Sequence, residues 1–257
     1  MGVSTEPEPK DEEQEELRGQ MSFLDHLEEL RRRIINMLIA VGVAFGLCYY
    51  YNQELFKIVS RPIIGVVGTL NFMTPTEPFN LGIKIAFVAS LFVAAPFIMA
   101  QIWLFIAPGL YKHERRYALP FIISSSLLFI CGGLFGYFVA FPFAVQFLVG
   151  VGKDMGMNAI INAADYFDLF MTVMVCLGIV FEIPAVIFIL ARIGLVSGSF
   201  LLRNTRYALL LSAVVAAIIT PTSDIPNMMI IMVPMMMLYM LGVIVAYIFG
   251  KKRSKDA

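Results

Sequence analysis

Ala107-Pro108-Gly109-Leu110-Tyr111-Lys112-His113-Glu114-Arg115-Arg116 is a strongly polar break between two long apolar runs in the first half of the chain. Each flanking run reaches the roughly 20 residues that cross a hydrocarbon core as helix. The stretch therefore reads as a short loop at a membrane surface, with helices inside the bilayer on either side. It sets one carboxylate, Glu114, among Lys112, His113, Arg115 and Arg116.

Composition agrees with that reading. Of 257 residues, 59% are hydrophobic and 15% charged, where soluble domains carry about a quarter. The apolar runs do not alternate with polar residues, so a barrel is excluded. The fold class is all-α: a polytopic membrane protein with six predicted spans, at about residues 34–51, 83–106, 117–141, 169–190, 207–219 and 227–249. Residues 1–20, rich in Glu, Pro and Gln, read as a disordered acidic tail. Residues 21–250 form the transmembrane domain, and 251–257 a basic tail. The acidic, polar start does not resemble a cleavable secretion signal. Formal net charge is zero, and no nucleic-acid partner is expected.

Lysine and arginine set the orientation. Lys57, Arg61 and Lys153, on segments read as external, and Lys84, at the outer end of the second span, are the four of 19 placed on the external side. The positive-inside rule then places both termini in the cytoplasm, which requires an even number of spans.

Local patterns add detail. Phe23, Leu24, Leu27, Leu30 and Ile34 recur at helical spacing and predict an apolar stripe on an interfacial helix. Residues 52–82 and 142–168 read as external loops, the first with a short helix near 53–59. Pro96 predicts a kink in the second span. Gly42 with Gly46, and Gly132 with Gly136, form GxxxG spacings that permit close backbone approach. The fifth run, 207–219, covers only about 20 Å against a hydrocarbon core of about 30 Å. It pairs with the sixth as a hairpin that either crosses a thinned bilayer, the favoured reading, or dips in as a re-entrant pair.

Several chemistries are excluded by missing residues. His113-Glu114-Arg115-Arg116-Tyr117 starts like a zinc-protease HExxH but lacks the second histidine, and His26 is the only other one in the chain. No metal or other cofactor is expected, because a catalytic zinc needs three protein ligands. No phosphate-binding GxxxxGK[ST] and no GxSxG elbow occur. Cys48, Cys131 and Cys176 lie in apolar runs and read as small buried hydrophobes. The methionines from Met228 to Met240 read as packing and lipid-facing surface. An enzyme is not expected.

Five acids carry the functional candidates. Glu114, like Glu28 and Glu29, is either a solvated acid in a charged segment or an acceptor for guanidinium groups, which a carboxylate binds through two parallel hydrogen bonds. Arg31 and Arg115 would keep these acids ionised. Glu182 lies mid-span, where a carboxyl is functional by default. It reads as a proton carrier, a hydrogen-bonding group, or a cap for backbone freed by Pro184. Asp224 is either an N-cap of the last helix or an outer-turn functional acid. A small-solute transporter using Glu182 is the competing class, but the internal repeats common in transporters are not apparent.

His26-Leu27-Glu28-Glu29-Leu30-Arg31, Pro75-Thr76-Glu77-Pro78-Phe79, Phe105 to Arg116, Phe181-Glu182-Ile183-Pro184 and Thr220-Pro221 together resemble the TatC family, the multispanning receptor subunits of the twin-arginine translocase. The resemblance implies a concave, glove-like six-helix bundle in the bacterial cytoplasmic membrane. It implies docking of Arg-Arg signal peptides of folded cargo on the cytoplasmic face, with Glu29 and Glu114 on the arginine pair and Arg31, Phe105 and Arg115 shaping the patch. It further implies functional roles for Pro62 in the outer loop, for Glu182 facing the concavity, and for Asp224 in a turn one residue longer than the family pattern. The implied partners are the single-span subunits TatA and TatB, further copies of the chain within the complex, and membrane lipid. Export would draw on the proton-motive force.

Overall fold

The computed structural model describes residues 9–67, 70–106, 118–157, 160–220 and 224–250. Ten α-helices and one π-helical turn account for nearly all of them: α1 (Pro9–Tyr50), α2 (Asn52–Val67), α3 (Glu77–Ile106), α4 (Ala118–Phe135), the π-turn (Gly136–Ala140), α5 (Phe141–Asp154), α6 (Ala163–Phe181), α7 (Ile183–Arg192), α8 (Gly198–Arg203), α9 (Thr205–Ile219) and α10 (Ile225–Phe249). Among the described residues the only β pairing is a single parallel bridge between Asn71 and Asn162. The all-α membrane class expected from composition is the class observed. Five helical stretches are long and apolar enough to cross a bilayer: His26–Tyr50, Glu77–Ile106, Leu119–Asp154, Ala163–Arg192 and Ile225–Phe249. Thr205–Ile219 is apolar but shorter.

The helices pack in a chain of neighbours. α1 lies on α3, α3 on α4, α4 on α6, α7 on α10, and α10 on α9. α1 is held from one side, so Leu38, Ile39, Val43 and Leu47 remain exposed for lipid. The densest core gathers Ile63, Phe141, Phe167 and Leu177, all within 1% of full burial. Trp103 packs against Phe121 and Ala185 in a second cluster. In lipid, helices associate through such close packing and not through expulsion of water. Gly132 meets the backbone of a neighbouring helix: a Cβ there would stand 2.5 Å from the Leu177 carbonyl oxygen and 2.9 Å from Gly178 Cα. The Gly42 and Gly46 pair meets nothing within 4 Å.

Four boundaries differ from the sequence expectation. α1 starts at Pro9, so residues 9–20 continue the helix instead of forming a disordered tail; Glu, Gln, Leu and Arg are all good helix formers. α2 spans 16 residues with Pro62 inside it, well beyond the short helix foreseen. The third span does not end near Phe141 but runs on to Asp154. Pro142 is accommodated because the turn before it widens: the Phe141 N–H reaches back five residues to the Gly136 carbonyl, and Pro142 falls in the first turn of α5, where its missing N–H is no loss. α6 begins at Ala163, capped by the Asn162 side chain, which accepts from the Ala164 N–H at 3.2 Å. The segment read as a second external loop is therefore mostly helix.

At the start of α3 the Glu77 carboxylate accepts from the Thr74 N–H and from the Met73 N–H, each at 3.1 Å. Pro78 lies in the first turn of α3, where its missing N–H is no loss. Pro96 lies inside the same uninterrupted helix.

Candidate functional site

Three polar sites stand out, and the fold keeps them apart. The first lies where α1 meets the C-terminal end of α3. His26, Glu29 and Arg33 are spaced by three and four residues and share one face of α1. Gln101 and Phe105 do the same on α3. The His26 ring stacks on Phe105 with centroids 4.6 Å apart and planes 22° from parallel. Arg33 donates to a Glu29 carboxylate oxygen at 3.0 Å and, through its other terminal nitrogen, to the Gln101 side-chain oxygen at 3.3 Å. Gln101 is buried. Glu29 and Arg33 keep 28% and 22% of their side-chain surface exposed, so the carboxylate remains reachable.

Leu27 and Ile34, on the apolar stripe expected of an interfacial helix, are each 43% exposed. The polar trio faces α3. Glu28 and Arg31 are exposed on the same turns. Glu114 and Arg115 lie outside the described residues. Gln101 and His26 escaped the sequence reading as site members; a glutamine inside the apolar run before Phe105 was the available signal.

The second site is Glu182, which occupies the break between α6 and α7. Its carboxyl does not cap the new helix, so that reading is corrected. The Glu182 N–H approaches the Val180 carbonyl that Pro184 cannot reach. The carboxyl instead accepts a hydrogen bond of 2.5 Å from Ser125 on α4. Its other oxygen is buried without a partner among the described residues. Ser125 is fully buried. The run Ser124-Ser125-Ser126 within apolar sequence marked the position, but nothing short-range linked it to Glu182.

At the opposite end from Phe105 lie Pro62 and Asp224. Proline supplies no N–H, so Pro62 leaves the Ile58 carbonyl without its helical donor. The Tyr137 hydroxyl donates to that carbonyl at 2.8 Å. Asp224 caps α10: one carboxylate oxygen accepts from the Asn227 N–H at 3.0 Å and the other from the Asn227 amide at 2.9 Å. Asn227 is buried. Asp224→Ala should therefore destabilise the start of α10 by about 1 kcal/mol, while Asp224→Asn keeps the cap. Comparing the melting temperatures of the two variants in one detergent checks this, and equal values would remove the cap from the account.

Comparison with known proteins places these features in context. The family model described as Sec-independent protein translocase protein (TatC) matches residues 25–234. A Koribacter versatilis protein named Sec-independent protein translocase protein TatC is 47% identical over 248 residues, which is 94% of this chain and 90% of that protein. The Escherichia coli K12 protein of the same name is 37% identical over 238 residues, 91% of this chain and 92% of its own length. A crystal structure of a twin-arginine translocase receptor TatC superposes with a TM-score of 0.74 at 32% identity, covering 86% of this chain and 97% of that one. A second, in DDM, gives a TM-score of 0.77 at the same identity, with 86% and 99% covered.

Proposed function

Because the chain belongs to the TatC family of Sec-independent protein translocase proteins, a transport family and not a class of enzymes, we propose that it is the signal-peptide receptor and core subunit of a twin-arginine translocase. Glu29 and Glu114 receive the two guanidinium groups of the signal peptide, with Arg31, Phe105 and Arg115 shaping the patch. One observation carries this reading: the Glu29 carboxylate already holds a guanidinium, that of Arg33, at 3.0 Å. Arg33 spends one terminal nitrogen on Glu29 and the other on Gln101. Gln101 secures Arg33 from below, so a displaced Arg33 keeps one partner.

In this reading the five long apolar helices and α9 make six crossings, with both termini cytoplasmic, in a concave bundle within the bacterial inner membrane. α9 has 15 residues, about 22 Å of helix against a core of about 30 Å. The bilayer thins there, and the single-span partners TatA and TatB gather at the thinned rim together with further copies of this chain. Energy comes from the proton-motive force.

A photo-crosslinker at Phe105 tests the docking site. Arg-Arg signal peptides should crosslink and peptides carrying Lys-Gln in that place should not; equal yields would sink the receptor reading. For Glu182 the role is hydrogen bonding within the bundle. Glu182→Gln retains a group that accepts from Ser125, so export should fall by no more than a few fold. Glu182→Leu strands the Ser125 hydroxyl in an apolar setting, a loss of about 1–3 kcal/mol, and export should fall at least tenfold. Complete loss in Glu182→Gln with normal membrane assembly would assign a proton-transfer role instead.

A further inference from the structure

We propose that Tyr137 and Tyr166 are positioning residues that staple α2 to the bundle through two adjacent backbone carbonyls in the turn before Pro62, the first of which Pro62 leaves without its helical donor. In an α-helix the N–H of residue 62 would donate to the carbonyl of residue 58, and that of residue 63 to residue 59. Proline removes the first donor, and its ring crowds the preceding turn. Both acceptors are met by tyrosine hydroxyls from other elements. Tyr137 donates to Ile58 O at 2.8 Å. Tyr166 donates to Val59 O at 3.1 Å. The Tyr166 hydroxyl thus adds a second donor one residue along the same turn of α2.

The two tyrosines reach α2 from different parts of the bundle. Tyr137 lies in the π-turn, whose extra residue per turn re-aims the side chains that follow it. It packs edge-on against Phe170, with centroids 6.2 Å apart. Tyr166 projects from α6 and is buried. The face of α2 they secure carries Phe56, stacked on Phe167 at 5.1 Å, and the fully buried Ser60 and Ile63. Ile58, Val59 and Tyr137 also line an apolar groove of about 450 Å³ that continues to Phe92 and Met174. The staple therefore sets how far α2 stands from α3 and α4 along that groove. Pro62 thus contributes an acceptor that Tyr137 fills. None of this depends on the peptide-docking reading.

A double-mutant cycle read by hydrogen exchange of the full chain in nanodiscs tests the staple. Tyr137→Phe keeps the ring on Phe170 but removes the donor, and amide exchange across residues 58–67 should accelerate about tenfold. In the Pro62→Ala background residue 62 has an N–H again, and the Ile58 carbonyl regains its helical donor. There Tyr137→Phe should change exchange less than about twofold. A purely packing role for the tyrosines predicts no rescue. Unchanged exchange in Tyr137→Phe, or equal acceleration in both backgrounds, overturns the proposal.

Discussion

Glu29→Lys is expected to abolish capture of an Arg-Arg signal peptide, lowering its affinity at least a hundredfold. Removing one partner of a hydrogen-bonded charge pair costs about 2–5 kcal/mol, and each 1.4 kcal/mol is tenfold in affinity. The substitution also places a cation where a guanidinium should dock. The local fold should survive, because Arg33 keeps Gln101 at 3.3 Å and His26 keeps its stack on Phe105. Glu29→Gln, which retains the shape without the charge, should fall between the two. Arg33→Gln should act in the opposite direction. It removes the internal cation that occupies the carboxylate, and affinity should rise about threefold, as expected for a partly exposed pair worth under about 1 kcal/mol. Titrating a labelled signal peptide against all four proteins in nanodiscs gives the comparison. Wild-type affinity in Glu29→Lys would remove this carboxylate from docking.

Gly132→Leu is expected to prevent the bundle from forming. Its first added atom would fall 2.5 Å from the Leu177 carbonyl oxygen, and backbone on a packed helix cannot rotate away as a side chain can. α4 and α6 would have to separate. Typical overpacking costs about 1–3 kcal/mol; here the rest of the leucine adds to a backbone clash at a crossing that also carries the Ser125–Glu182 hydrogen bond. The yield of monodisperse protein extracted in mild detergent should drop at least tenfold. Gly42→Leu is the matched control, because a Cβ at that position meets nothing within 4 Å, and its yield should equal wild type. A well-behaved Gly132→Leu protein with an unchanged melting temperature would contradict the close crossing.

The contrast between these two glycine pairs shows where sequence reading stops. Both have the same spacing, and both sit in apolar helices. The difference arises from placement: Gly132 faces the α6 backbone, whereas α1 presents Gly42 away from α3. The same holds for α1's polar trio. Periodicity identified a helix and an apolar stripe at the interface, and Leu27 and Ile34 on it are exposed; it did not say that His26, Glu29 and Arg33 would meet α3. In a bilayer an apolar stripe no longer says which face is buried.

The chain's own order of residues sufficed for the membrane class, for most of the helical spans, for the family resemblance and for the acids worth testing. Hydrocarbon forces each spanning segment to satisfy its backbone internally, so run length alone identifies such helices. Tertiary structure decided which groups meet. Ser125 reaches Glu182 across 57 positions, Arg33 reaches Gln101 across 68, Tyr137 reaches Ile58 across 79 and Tyr166 reaches Val59 across 107. Each of these bonds depends on how neighbouring helices rotate and cross, a property of the packed bundle that no short-range pattern encodes.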